Sequence, residues 1–318
     1  MSLRSLAAVA TFLVSRVYAK AADDGVSGVP LPAGFSRALF YDDFSSNSSL
    51  DLSKWKYDLG TQYPGGPANW GTGEIQSYTA SPDNIYITNE KTLRIIPIYD
   101  GQGGWTSARV ETQPEWDFGA AVGQRIRVEA RLKPGTASAD EQWGIWPAFW
   151  SLGSSYRGNY QNWPSVGELD FFESTHGQPR VWQSLHCGPN RVGGPCNEPT
   201  GLFVEAGDDI YNRDGWNTVS WELDRRHGTT WLDTSSEERM TWFVNDKPLL
   251  VLKQSDLAND EAWAQIVDNK KFLLLNVAVG GSFADAKAGF QTPMASTTGG
   301  LGAAMDVDYV GVYESWSE

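Results

Sequence analysis

Cysteine and histidine are scarce, with two Cys and three His in 318 residues, which leaves a catalytic zinc site little to be built from. Basic residues are a minority too: 25 Lys and Arg stand against 39 Asp and Glu, a formal net charge of −14. Such a surface repels phosphate backbones and anionic lipid, so neither nucleic acid nor a membrane is an expected partner. Helix signals are few, and no internal repeat, charge run or low-complexity linker interrupts the chain. One apolar run stands out, in "MSLRSLAAVATFLVSRVYAKA", where Arg4 precedes it and Ala19 and Ala21 supply small residues. It is too short to span a bilayer and reads as a secretory signal peptide over residues 1–19. A leader segment over 20–35 and a single domain over 36–318 complete the expected organisation. Removing 1–19 takes away Arg4 and Arg16 and no acid, so the formal charge becomes 23 − 39 = −16.

Secretion gives the two cysteines a role. Cys187 and Cys196 flank "GPNRVGGP", and in an oxidising compartment they most simply close that loop as a disulfide. Asn47-Ser48-Ser49 is a glycosylation sequon, consistent with the same compartment. A monomer is expected.

What the chain has in quantity is strand-like sequence. Short β-branched and aromatic runs recur between turns: "NIYITN", "KTLRIIPI", "QRIRVEARL", "VGELDFFES", "NTVSWEL", "MTWFVN", "KFLLLNVAV" and "MDVDYVGVYE". In the third, Ile126, Val128, Ala130 and Leu132 alternate with Arg125, Arg127, Glu129 and Arg131, the period of a strand with one buried face. The best helical stretch is "SDLANDEAWAQIV", with Ser255 or Asp256 as its cap. An all-β antiparallel sandwich follows.

Tryptophan is abundant, at 15 residues, and crowds "EQWGIWPAFWSLG" (Trp143, Trp146, Trp150) and "QNWPSVGELD" (Trp163). An indole in a cleft can offer its face to the axial C–H bonds of a sugar ring. Trp150, embedded in "PAFW", reads as core; Trp163, beside proline and polar residues, reads as cleft.

"VGELDFFESTHG" raises a question of parity. In a regular strand Glu168 and Asp170 share a face while Glu173, five residues from Glu168, points the other way. A β-bulge would absorb one residue and return all three to one side. The backbone separation of the two glutamates is then about 13 Å, at roughly 3.3 Å for each of four steps. Side chains reaching inward narrow this to about 5 Å, the spacing of a nucleophile and a proton donor in retaining glycoside hydrolysis. Three carboxyls facing one cleft cannot all ionise cheaply, so at least one stays protonated and able to donate. Taken alone, E-x-D-x-x-E also fits solvated strand acids.

"WPSVGELDFFES" resembles the signature of glycoside hydrolase family 16, in its bulge-containing, laminarinase-like branch. Further matches run in order along the mature chain: "LFYDDFSS", "LDLSKWKYDLG", "WGTGEIQSYT", "DNIYITNEKTLRI", "TSARVET", "GIWPAFWSLG", "SLHCG", "FLLLNVAVGG" and "MDVDYVGVYE". "SLHCGPNRVGGPCNEPTG" looks particularly like fungal secreted members. The resemblance implies a jelly-roll, concanavalin-like sandwich whose concave sheet forms an open sugar cleft. It implies Glu168 as nucleophile, Glu173 as general acid/base and Asp170 as the assisting acid. It places Trp163 on the donor side of the cleft, Arg109 near the catalytic centre and His186 beside the acids. Arg109 as a salt-bridge residue and His186 as a core imidazole are the structural alternatives. Trp146, Asn69, Glu74 and Gln76 match positions near the cleft. No cofactor is required, although some members hold a structural calcium where Asp308 lies.

The chain departs from the family at Gly311, where many members have arginine, and at Thr72 to Gln76, "TGEIQ", where laminarinase-like members often read "NNELQ". The second difference bears on the donor subsites. The function so implied is a secreted, endo-acting, retaining β-glycanase on a β-linked polysaccharide, foremost an endo-1,3-β-glucanase with action on mixed 1,3-1,4 glucan in view. The alternatives are an endo-1,3-β-galactanase or transglycosylase on the same scaffold, and a non-catalytic β-glucan-binding lectin.

Overall fold

A computed structural model describes residues 25–46, 48–226 and 237–316. The expected signal peptide over 1–19 and the sequon residue Asn47 lie outside the described residues. Two antiparallel sheets, of eight and seven strands, are accompanied by a small three-stranded sheet. The strand Gln124–Lys133 shows why they stack. Its Ile126, Val128, Ala130 and Leu132 are at most 1% exposed, while the alternate side chains face out and pair across strands. Arg127 meets Glu222 at 2.9 Å and Arg131 meets Asp308 at 2.6 Å.

The inner faces of the two sheets meet in one core. Val128, Trp221, Val310 and Val312 come from the larger sheet, and Phe149, Leu169, Phe171, Leu275 and Val277 from the smaller. Fully burying each such side chain is worth about 1.5–3 kcal/mol, so the alternation alone commits these strands to stacking. The stretch read as a leader joins this body from residue 26 onward. Val26 bridges to Ala38, and Val26 and Val29 pack with Phe35 and Tyr313.

The seven-stranded sheet carries the cleft. Its strands lie in the order Leu202–Ala206, Val181–His186, Glu168–Glu173, Ile145–Gly153, Lys271–Val279, Arg109–Thr112 and Trp55–Asp58. The outer face of Ile145–Gly153 presents Trp146, Ala148, Trp150 and Leu152, and that of Lys271–Val279 adds Asn276 and Ala278; all six line a cavity of about 580 Å³. Trp150 is thus a cleft residue and not the core residue its setting suggests. The alternation that buries Phe149 turns Trp150 outward, where its indole N–H donates to Asn276 Oδ1 at 2.7 Å. At one end of this face Leu152, Phe272, Leu274, Tyr63, Tyr156 and Val166 form a second apolar cluster, on which Trp70, Trp150, Tyr160 and Trp163 rest.

The expected helix is two helices, Gln254–Leu257 and Asp260–Val267. Ala258 interrupts them in the left-handed region, at φ 51°. The longer helix is capped by Asn259, whose side chain accepts from Ala262 N–H at 2.9 Å, and not by Ser255 or Asp256. A third helix, Ser282–Ala288, borders the cleft through Ser282, Phe283, Ala286 and Lys287.

Candidate active site

The strand Glu168–Glu173 contains the expected bulge. On one side it pairs Glu168 with His186, Asp170 with Ser184 and Glu173 with Trp182, with a register shift between Asp170 and Glu173. On the other side it pairs Glu168 with Leu152, Asp170 with Trp150 and Glu173 with Ala148. The partners advance by two residues each time, so all three acids point the same way, and all three line the cavity. Phe171 and Phe172 occupy the bulge, and both are 0% exposed. Their rings approach Phe149 and Tyr211, with centroids at 5.2 and 5.9 Å. Burying two consecutive aromatics stabilises the irregularity that aligns the acids.

Each acid has its own surroundings. Asp170 accepts from Ser184 Oγ at 2.5 Å. Glu173 accepts from the indole N–H of Trp146 at 2.9 Å. Glu168, 17% exposed at its side chain, is the most open of the three. Burial and the Asp170 charge push Glu168 up to about 8, against the pull of His186 and Arg109. Burial and the charge of Asp170 also push Glu173 well above the usual carboxylate range. Burial raises Asp170 as well, opposed by His186 and Ser184. The Arg109 charge helps Glu168 to ionise.

His186 stands across the ladder from Glu168. Its Nε2 lies 3.6 Å from Asp170 and 4.0 Å from Glu168, while Nδ1 is 2.7 Å from Glu198. Trp163 packs beside the ring at 5.7 Å between centroids. Glu168, Asp170 and His186 hold their ligand atoms within 4.8 Å of one another, as a metal site would. The three carboxylates around the imidazole favour its protonated form, which is not a ligand. Asp308 pairs with Arg131 at 2.6 Å.

Arg109 is both a salt-bridge residue and a cleft residue. It bonds Asp58 at 3.1 Å, and its guanidinium sits 4.3 Å from the Trp70 ring centre and 4.9 Å from that of Trp150. Glu74 also lines the cavity, but its carboxylate is taken by Thr72 Oγ at 2.9 Å, Gln76 Nε2 at 2.6 Å and the Tyr78 hydroxyl at 2.8 Å.

Two expected lining residues are elsewhere. Gln76 is 0% exposed, and its carbonyl accepts from Val279 N–H at 2.7 Å, tying the segment to the sheet. Asn69 is exposed, and Trp70 lines the cavity in its place. Both have left-handed backbones, with φ of 51° and 57°, a turn that inspection of "PANWG" does not foresee. Sequence reading also missed Trp182 and Lys287, which line the far part of the cleft, and Glu198 behind His186. Cys187 and Cys196 are disulfide-bonded, and Arg191, Pro199 and Thr200 of the adjoining loop reach the cavity.

No family profile matches the chain. Among solved structures, the endo-1,3-β-glucanase from Streptomyces sioyaensis is 37% identical at a TM-score of 0.83, covering 92% of this chain and 100% of that one. Glucan endo-1,3-β-glucosidase A1 of Niallia circulans is 29% identical over 301 residues, 89% of this chain and 39% of that protein. The clotting factor G alpha subunit of Tachypleus tridentatus is 26% identical over 281 residues, 87% of this chain and 34% of that protein. The chain therefore spans little more than a third of the length of these two relatives. With 37% identity across the whole of the Streptomyces structure, the chain belongs to the endo-1,3-β-glucanase family.

Proposed function

We propose that the protein is a secreted endo-1,3-β-glucanase that cleaves internal linkages of β-glucan with retention of configuration. The observation that carries this reading is the alignment of Glu168, Asp170 and Glu173 on one cleft face by the Phe171–Phe172 bulge. Glu168 attacks the anomeric carbon as the bond from that carbon to the glycosidic oxygen breaks, and Glu173 delivers its proton to the departing oxygen. Glu173, now ionised, then takes a proton from water as the water oxygen displaces Glu168 from the sugar. Asp170 acts on both through its charge. The three carboxyls argue against a binding module without catalysis, which has no need of a crowded acid cluster. The expected signal peptide over 1–19 and the disulfide support action outside the cell, and the bulge supports the laminarinase-like branch.

Trp70, Trp150, Trp163, Trp182 and Phe283 line the cavity together with the acids. Aromatic rings lining a cleft suit a sugar chain bound across the acids. Linkage analysis of products from laminarin, lichenan and β-1,3-galactan tests the specificity. Cleavage of laminarin with oligosaccharide products is expected; turnover of the galactan alone would replace glucanase by galactanase. NMR of the first-formed product tests the stereochemistry, and an initial α-anomer from a β-linked substrate would remove Glu168 as nucleophile.

A further inference from the structure

The residue behind His186 comes from a loop. Glu198 follows the Cys187–Cys196 disulfide, and its backbone N–H and C=O are both bonded to Gly193 at 2.7 Å. Its side chain is 0% exposed. Oε1 accepts from Cys187 N–H at 2.9 Å, and Oε2 lies 2.7 Å from His186 Nδ1. On the opposite edge of the ring, Nε2 faces Asp170 Oδ2 at 3.6 Å and Glu168 Oε1 at 4.0 Å. Both ring nitrogens therefore look at carboxylates. Each of these carboxyls only accepts once ionised, so ionisation on both edges of the ring favours an imidazole with a proton on each nitrogen. Gly201 completes the seat: a Cβ there would come within 2.8 Å of His186 Cε1.

Resting on the glucanase reading, we propose that Glu198 is a positioning residue that holds His186 as a fixed imidazolium against Asp170 and Glu168, allowing the nucleophile to ionise among its neighbouring acids. The charges facing His186 are Glu168, Asp170 and, farther off, Glu173 on the adjacent strand, with Glu198 on the loop; Arg109 acts on Glu168. Burial pulls the imidazole down, but the Glu198 bond and the charges of Glu168 and Asp170 outweigh it and raise His186 to about 10. Glu198 is itself an anion and, taken alone, opposes ionisation of Glu168. Its net effect runs through His186, which influences Glu168 more strongly than Glu198 does.

The sign of the test follows. In Glu198→Gln the imidazole loses its buried counter-charge and gives up a proton at lower pH. Glu168 and Asp170 then lose their nearest cation and ionise at higher pH. The acid limb of kcat/KM on laminarin is expected to move up by about one pH unit, with kcat affected more than KM. A loss of activity with an unmoved profile would mean that Glu198 only supports the loop and would overturn the proposal. Nitrogen-15 NMR of the histidine rings in the unmodified protein decides the matter even if the variant does not fold. His186 should keep both ring protons at about pH 8, and a neutral ring there would also overturn the proposal. That titration reads the imidazole directly, so a protein inactive on glucan would sink the glucanase reading and leave this one to be judged separately.

Discussion

The indole N–H of Trp146 donates to Glu173 Oε1 at 2.9 Å, while the same ring packs 5.0 Å from Phe283 of the helix Ser282–Ala288. In the proposed reaction Glu173 starts protonated and becomes an anion as the leaving oxygen takes its proton. A donor fixed on it therefore bonds more strongly in the transition state than before it. Hydrogen bonds to charged groups are worth about 1.5–3 kcal/mol. Trp146→Phe keeps the packing and removes the donor, so kcat on laminarin should fall roughly tenfold or more, with a smaller change in KM. Equal kcat in variant and parent would mean that the bond plays no part in proton transfer.

The pH profile should reflect the crowding of the acids. Activity rises with pH as Glu168 ionises and falls as Glu173 loses its proton. Both groups are raised, so both limbs should lie above the ordinary glutamate range. After burial, the Asp170 charge is the main cause of each shift. Asp170→Asn should move both limbs to lower pH, on the order of one unit, as loss of a like charge requires. Limbs that stay in place in the variant would show that Asp170 does not set these ionisations.

The two glutamates should fail differently when truncated. Glu168→Ala removes the atom that bonds to the sugar, and no turnover of β-glucan is expected. Glu173→Ala should retain activity on aryl β-glucosides with good leaving groups, which need little protonation, and added azide should restore turnover by replacing the activated water. Azide rescue in Glu168→Ala and none in Glu173→Ala would reverse the assignment.

How far the sequence foretells this site depends on the range of the interactions that build it. The bulge was legible because the five-residue offset of Glu168 and Glu173 conflicts with a two-residue period, and the structure resolves the conflict at Phe171–Phe172. The sandwich was legible because alternation such as Ile126 to Leu132 is local. Glu198 was not, because it reaches His186 through a loop whose course depends on the Gly193 backbone bonds and Gly201. Trp70 was missed in favour of Asn69 because consecutive left-handed residues reverse which side chain enters the cleft. Trp150 was misjudged because both faces of its strand are apolar, one toward the core and one toward the sugar cleft, and hydrophobicity alone does not tell them apart.

Arg109 joins the stability of the fold to the shape of the cleft. Its guanidinium pairs with Asp58 at 3.1 Å, 51 residues away in sequence, and lies against the rings of Trp70 and Trp150. Asp58 is already raised to about 6, by burial first and by the Glu111 charge second, with Arg109 opposing both. Arg109→Met fills similar space with no charge, so Asp58 is left without its buried ion-pair partner. Breaking such a pair from one side costs about 3–5 kcal/mol. The sign with pH follows from the acid: Asp58 in the variant is pushed higher still, and stability should fall as pH rises through that range, more steeply than in the parent. Thermal unfolding across this range should show the gap in Tm widening from acid to neutral pH. Trp70 and Trp150 also lose the cation that steadies them, so KM for laminarin should rise in whatever fraction stays folded. A variant with unchanged Tm would show that Lys56 and Arg157, which bond Glu111 at 2.6 Å each, neutralise the cluster by themselves.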